Sequence, residues 1–252
     1  MELRALRRDR AARLGPELFL LGRAFDDCLD RLSLMPQRFD QALLIGCPDP
    51  GWPERLREFA DEVEARDPGA LFARAARGAQ LIEDAWEPPS DIYELVLAIG
   101  TLDTVNDLPR ALVTLRRSMK PRALLLGAMS GGDTLPRLRS AMREADRLTG
   151  AATPHAHPRV EASALAPLLS SAGFVDPVVD IDRVEVSYRS FQRLVADLRH
   201  MGATNILGQR SRTPASRRAY AAAAQDFSAS GDGERTTETF EILHFACRAP
   251  AG

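Results

Sequence analysis

At 252 residues, with 45% apolar and 27% charged side chains, the chain has the balance of a folded protein large enough to bury a full core. A formal net charge of −2 removes generic attraction to nucleic acid or to an anionic membrane surface. No apolar run approaches the ~20 residues that span a bilayer, and a single lysine, Lys120, leaves no spare amine for Schiff-base chemistry.

Met1–Arg13 carries Arg4, Arg7, Arg8, Arg10 and Arg13 and reads as a solvated basic helix, without the apolar segment of a secretion signal. Glu17–Leu34 places Leu18, Leu21, Phe25, Leu29 and Leu32 on one helical stripe that Pro36 ends. Phe39–Gly51, FDQALLIGCPDPG, is the pivotal stretch: a buried strand over Ala42–Ile45 runs into a tight turn. Pro53 opens a helix whose Leu56, Phe59, Ala60 and Val63 keep helical spacing, so that a weak strand around Val63–Ala65 overlaps its end. Ala79–Glu83 and, more clearly, Glu94–Ile99 read as strands.

Asp107 is placed to cap a helix with Pro109 in its first turn and Leu108, Ala111, Leu112, Leu115 and Met119 on its core face. Pro121 stops it before an apolar strand at Ala123–Ala128. Gly131-Gly132-Asp133 leads into a helix closed by Gly150, with Asp133 as its expected cap, and Ala151–Arg159 is a loop containing His155 and His157. A helix over Ser163–Ser171, a strand over Pro177–Tyr188, helices over Phe191–His200 and Ala219–Ala224, and a strand over Thr237–Cys247 complete the chain. Such alternation predicts an α/β fold with a mostly parallel sheet, helices on both faces and a late strand that can run antiparallel. Cys28, Cys47 and Cys247, odd in number and far apart, form neither a disulfide framework nor a metal knuckle; reduced buried thiols in a cytoplasmic protein are expected.

FDQALLIGC, DPGALFARAA, IED, YELVLAIGTLDTVNDLPRAL, LRRSMKPRALLLGAMSGGDTLPRLRSA, LLSSAGFVDPVVDIDRVEVSY and DLRHMGATN follow one another in an order that resembles class I S-adenosylmethionine-dependent methyltransferases. Within them the likeness is to the branch of methyltransferase-11-type proteins and of the mitochondrial complex I assembly factor that hydroxylates an arginine. It implies a Rossmann-like sheet of seven strands and a division into a helical extension at 1–38 and a methyltransferase-like domain at 39–252, with a helical insertion at 191–230. It also implies cofactor contacts: Gly46 at the first glycine of the cradle, Asp67 at the ribose and Asp84 near the adenine. A protein partner or protein substrate, an arginine side chain included, belongs to the same implication. Hydroxylation would need an oxidant and iron or another redox system.

The cradle departs from the family pattern. Leu44 stands where an acidic residue is usual, and Pro48 and Pro50 replace the next two glycines. Proline fixes φ, adds a ring and removes an N–H, so two backbone donors are lost where the methionine end of the cofactor would lie. Asp49 adds negative charge, and Trp52 is large enough to fill the space. A degenerate cofactor site is therefore expected, with no cofactor assigned unless S-adenosylmethionine still binds. The alternative is a working methyltransferase or arginine-modifying enzyme in which Asp103, Asp133 and His157 position substrate or move protons. No metal site is expected, because His155 and His157 have no third ligand fixed by the sequence.

Overall fold

The computed structural model describes residues 2–150 and 154–251, and only the backbone of Asp84. Ala151–Thr153 of the expected histidine loop lie outside the described residues. In chain order the elements are α1 (Glu2–Leu14), α2 (Phe19–Ser33), β1 (Phe39–Ile45), α3 (Trp52–Leu56), β2 (Ala60–Asp67), α4 (Ala70–Ala75), β3 (Ala79–Gln80) and β4 (Tyr93–Ile99). There follow α5 (Leu108–Ser118), β5 (Met119–Ser130), α6 (Pro136–Thr149), α7 (Ala162–Ser171), β6 (Val175–Tyr188), α8 (Phe191–His200), α9 (Arg217–Ala229) and β7 (Thr236–Arg248).

The strands form one sheet of order β3-β2-β1-β4-β5-β7-β6. β1 to β5 pair in parallel, whereas β7 runs antiparallel to both β5 and β6. Alternate residues of β1 feed opposite faces: Leu43 and Ile45 pack with Leu112, Leu115, Leu165 and Leu169 of α5 and α7, while Ala42 and Leu44 pack with Phe25, Leu29 and Leu56 of α2 and α3. Leu95–Ile99 of β4 are all wholly buried, the continuous apolar run of a strand covered on both faces. A third core joins α6, α8 and α9 to the outer half of the sheet through Leu194, Phe227 and Phe240. The helical insertion before the last strand, α8 and α9, thus has its own apolar anchor.

Two local expectations are corrected. The helix expected to continue through Val63 ends at Leu56, and Ala60–Asp67 is a strand in register with β1 from Phe39↔Ala60 to Ile45↔Arg66. A six-pair ladder on the open edge of β1 outweighs the helical preference that Ala60, Glu62, Glu64, Ala65 and Arg66 give this segment. Asp133 does not cap α6; the buried Glu238 of β7 does, accepting from the N–H groups of Arg137 at 3.2 Å and Leu138 at 2.7 Å.

His244 of β7 is 4% exposed and lies between Asp27 and Arg31 of α2 and Asp180 and Asp182 of β6. Burial lowers its pKa, and the facing carboxylates only partly oppose that shift. Below its ordinary value of 6.5 the unfolded chain takes up a proton that the folded one refuses, so this histidine makes stability drop as the pH is lowered. Its contribution to the slope is bounded by one proton, about 1.4 kcal/mol per pH unit, and falls away once the lowered pKa is passed. Urea titrations from pH 7 to pH 5 should show that slope reduced in His244→Gln.

Candidate functional site at the end of the sheet

The sheet's order reverses between β1 and β4, and the crevice beyond the carboxyl ends of these strands is where open α/β sheets collect ligands. Gly46 leaves β1 there with φ +83°, and a Cβ on it would lie 2.1 Å from the Ile99 carbonyl oxygen at the end of β4. Only glycine allows the two strand ends to approach so closely. The following turn satisfies itself. Asp49 accepts from the N–H of Gly51 through Oδ1 at 2.8 Å and from the N–H of Trp52 through its carbonyl at 3.2 Å, while the Cys47 thiol donates to the same carbonyl. Trp52 is buried and stacked on Phe25 of α2 with ring centres 4.3 Å apart, so it is core rather than pocket wall.

Helix α1 lies across this end of the sheet, and the expectation that it is solvated is corrected: Arg4 and Arg8 are 3% and 5% exposed. Four residues apart, they share one helical face with the wholly buried Ala11. Arg8 forms a two-armed pair with Asp67, Nε to Oδ1 at 2.7 Å and Nη2 to Oδ2. Arg4 pairs with Glu83 and donates to the Thr101 carbonyl at 2.7 Å. Asp9 accepts from the N–H of Leu71 at 2.9 Å, bonding the first turn of α4 to α1. Gly69 and Gly202 make the approach possible, because a Cβ on either would meet Arg8 at 2.8 and 3.3 Å.

Asp67 also accepts from the N–H groups of Cys47 at 2.9 Å and Gly69 at 2.7 Å. Its two oxygens thus hold four donors from within the chain, and it is wholly buried. The residue that resemblance sets against a cofactor ribose is occupied by Arg8. The side chain of Asp84 lies outside the described residues.

Beside the arginines a cavity of about 980 Å³, its open mouth included, extends under the segment Met201–Ile206. Asn205 fastens that segment by donating to the Pro154 carbonyl at 2.7 Å and accepting from the N–H of Leu207 at 2.9 Å. Asp103, just beyond β4, and His157, in the loop after α6, both line the cavity. Arg159 stands with them, Nη1 3.3 Å from Asp103 Oδ2. Asp103 Oδ1 and His157 Nε2 are buried and find no partner among the described residues. Burial lowers the His157 pKa against the opposing charge of Asp103, which favours the neutral imidazole.

Asp133, the third residue expected to act with them, lies elsewhere: its carboxyl is 64% exposed, pairs with Arg183 at 3.2 Å and is not part of the cavity wall. Cys28 and Cys247 are buried, with thiol pKa values pushed up to about 12, and Cys47 is pushed higher still by burial and then by Asp67 and Asp49. All three are poor nucleophiles. Among the described residues no three His, Cys, Asp or Glu side chains gather as a metal ion would require, and no helix is long and apolar enough to cross a membrane. Arg4, Arg8 and Arg159 were not singled out from the sequence. The stripe of Arg4, Arg8 and Ala11 was the available signal, but a stripe with two charges reads as solvated until its partners are known.

A seven-stranded sheet of this order, with its seventh strand reversed and its crevice at the β1–β4 switch, defines the class I S-adenosylmethionine-dependent methyltransferase fold. Residues 18–177 match the family described as "Methyltransferase domain", and the chain belongs to that family. It is homologous to the arginine-hydroxylase NDUFAF5, mitochondrial: identity to the zebrafish (Danio rerio) protein is 30% over 226 residues, covering 85% of this chain and 70% of that one. With the human protein identity is 33%, covering 70% of this chain and 54% of the relative. The match to the rat protein spans 34% of its length, so the chain spans a third to a half of two of these curated relatives. Among solved structures, YcgJ from Bacillus subtilis shares the fold with a TM-score of 0.61 at 10% identity, over 92% of this chain and all of that one. The expected cytoplasmic location is corrected by these relatives, which are mitochondrial proteins.

Proposed function

We propose that this protein keeps the methyltransferase fold but has given up S-adenosylmethionine, and that it works by holding a protein partner as a respiratory-complex assembly-related factor. The observation that carries the reading is Arg8 on Asp67. A ribose would have to displace a buried two-armed ion pair and two backbone N–H groups to reach that carboxylate. The residues present do not fit the cofactor at its other end either: Pro48 and Pro50 supply no N–H, and Leu44 supplies no charge. Arg7, Arg10, Arg199 and Arg210 lie close enough for their like charges, after burial, to lower the Arg7 pKa, which supports an acidic surface on the partner.

Calorimetric titration of S-adenosylhomocysteine into the protein should give no heat of binding at micromolar concentrations. A clean micromolar isotherm would overturn the loss of the cofactor. It would also favour the second reading, a working methyltransferase or arginine-modifying enzyme, which draws its support from the meeting of Asp103 and His157 in one cavity.

A further inference from the structure

The last strand in the order of the sheet, β6, has β7 along one side and, among the described residues, no strand along the other. At the opposite end of the sheet the outermost strand is 2 residues long, whereas β6 runs for 14. Pro177 and a shift of register between Val175 and Val178 blunt its beginning, a common guard of an exposed edge. From Val178 to Tyr188 the pairing with β7 is regular, so alternate residues turn their N–H and C=O groups outward. Beside those groups stand two apolar side chains, Val178 at 53% exposure and Ile181 at 49%.

The charges along this edge select its occupant. Asp180 and Asp182 are already paired with Arg31 and Arg23 of α2. From Ile181 onward exposure alternates: Arg183 and Glu185 are exposed on one face, while Val184 and Val186 are half-buried on the other. Arg183 reaches Glu241 and Asp133 through Nε and Nη2, which leaves Nη1 unengaged, and Glu185 has no partner among the described residues. When two copies of a strand pair antiparallel about a two-fold axis, opposed residues share a face, so the axis falls on a single residue. An axis on Asp180, Asp182, Arg183 or Glu185 opposes a charge to its own copy, and one on Ile181 opposes Asp180 to Asp182. An axis on Val184 opposes Arg183 to Glu185 twice and no like charges, and its pairs, from Asp180 to Tyr188, fall within the regular stretch. Opposite charges directly across an antiparallel pair stabilise it, and like charges destabilise it. We propose that β6 pairs with β6 of a second copy of this chain about Val184, joining the two sheets into one. The pairing uses no residue of the cofactor crevice, so it and the loss of S-adenosylmethionine fail separately.

Sedimentation equilibrium of the full chain at concentrations up to about 100 μM should show monomer and dimer in exchange, as for an interface of modest affinity. Glu185→Arg, which opposes two positive charges on each side of the axis, should weaken the dimer at least about tenfold. Its circular dichroism spectrum and urea midpoint should stay those of the wild type, because the Glu185 side chain is exposed and unpaired among the described residues. The register is read separately by mild oxidation with diamide. A mixture of Ile181→Cys and Ser187→Cys chains should form a disulfide-linked dimer, since an axis on Val184 opposes those two positions, and neither variant should link to itself. Cys28, Cys47 and Cys247 are buried and do not compete. A wild type that stays monomeric to about 100 μM, a dimer indifferent to Glu185→Arg, or Ile181→Cys linking to itself as readily as to Ser187→Cys would each overturn the proposal.

Discussion

Arg8→Ala should lower the stability of this protein by about 3–5 kcal/mol, the cost of leaving one member of a buried ion pair uncompensated. Asp67 would keep the N–H groups of Cys47 and Gly69 but would remain a wholly buried carboxylate without a cation. Asp67→Ala should cost as much, because it strands the Arg8 guanidinium beside Phe72, 5.2 Å from the ring centre. Arg8→Met combined with Asp67→Leu should cost far less than the sum, since apolar replacements of similar volume leave no charge behind. Urea unfolding of the wild type, the two single variants and the double apolar replacement measures how much of each single loss comes from the charge left behind. Single losses below about 1 kcal/mol would mean that α1 is not held by this pair. Arg8→Ala should also remain silent towards S-adenosylhomocysteine, because Pro48 and Pro50 still deny the methionine end its donors.

Gly46→Ala should be worse. Its φ of +83° is strained for any other residue, and the new Cβ would lie 2.1 Å from the Ile99 carbonyl oxygen, a backbone atom that cannot rotate away. Relief requires the ends of β1 and β4 to part, breaking the ladder at the centre of the sheet, where Ile45 opposes Ala98. The expected loss exceeds about 4 kcal/mol, in the extreme tail of single substitutions, and reads out as insoluble expression or a collapsed urea midpoint. Gly22→Ala is the control. This glycine lies inside α2 with no atom within 4 Å of the added Cβ, so the change should stabilise by about 0.5–1 kcal/mol. Opposite signs for the two would locate the effect in geometry rather than in glycine itself.

These two predictions concern residues of different legibility. Gly46 follows a run of apolar strand residues at a turn, and its need for a bare backbone is readable from the neighbouring sequence. The same is true of Asp107, whose carboxyl accepts from the N–H of Arg110 at 3.0 Å, and of Gly150 and Gly173, which take φ of +66° and +91° where their helices stop. Asp103 and His157 were selected as candidate groups from separate stretches, and the fold brings both to one cavity. Asp133, chosen on the same footing, is drawn outward to Arg183, because Glu238 already occupies the helix start that it was expected to cap.

What the sequence determined by itself was the chain order of most strands and helices and the helix ends marked by Asp107, Gly150 and Gly173, since each depends on residues within a few positions of one another; the end of the helix after Pro53 was not among them. What only the tertiary structure decided was the use of the charges. Arg8 meets a carboxylate 59 residues away and Arg4 one 79 residues away. An arginine stripe is a solvated face or a buried seal according to whether such partners wait opposite it, and desolvation makes that choice depend on the whole fold.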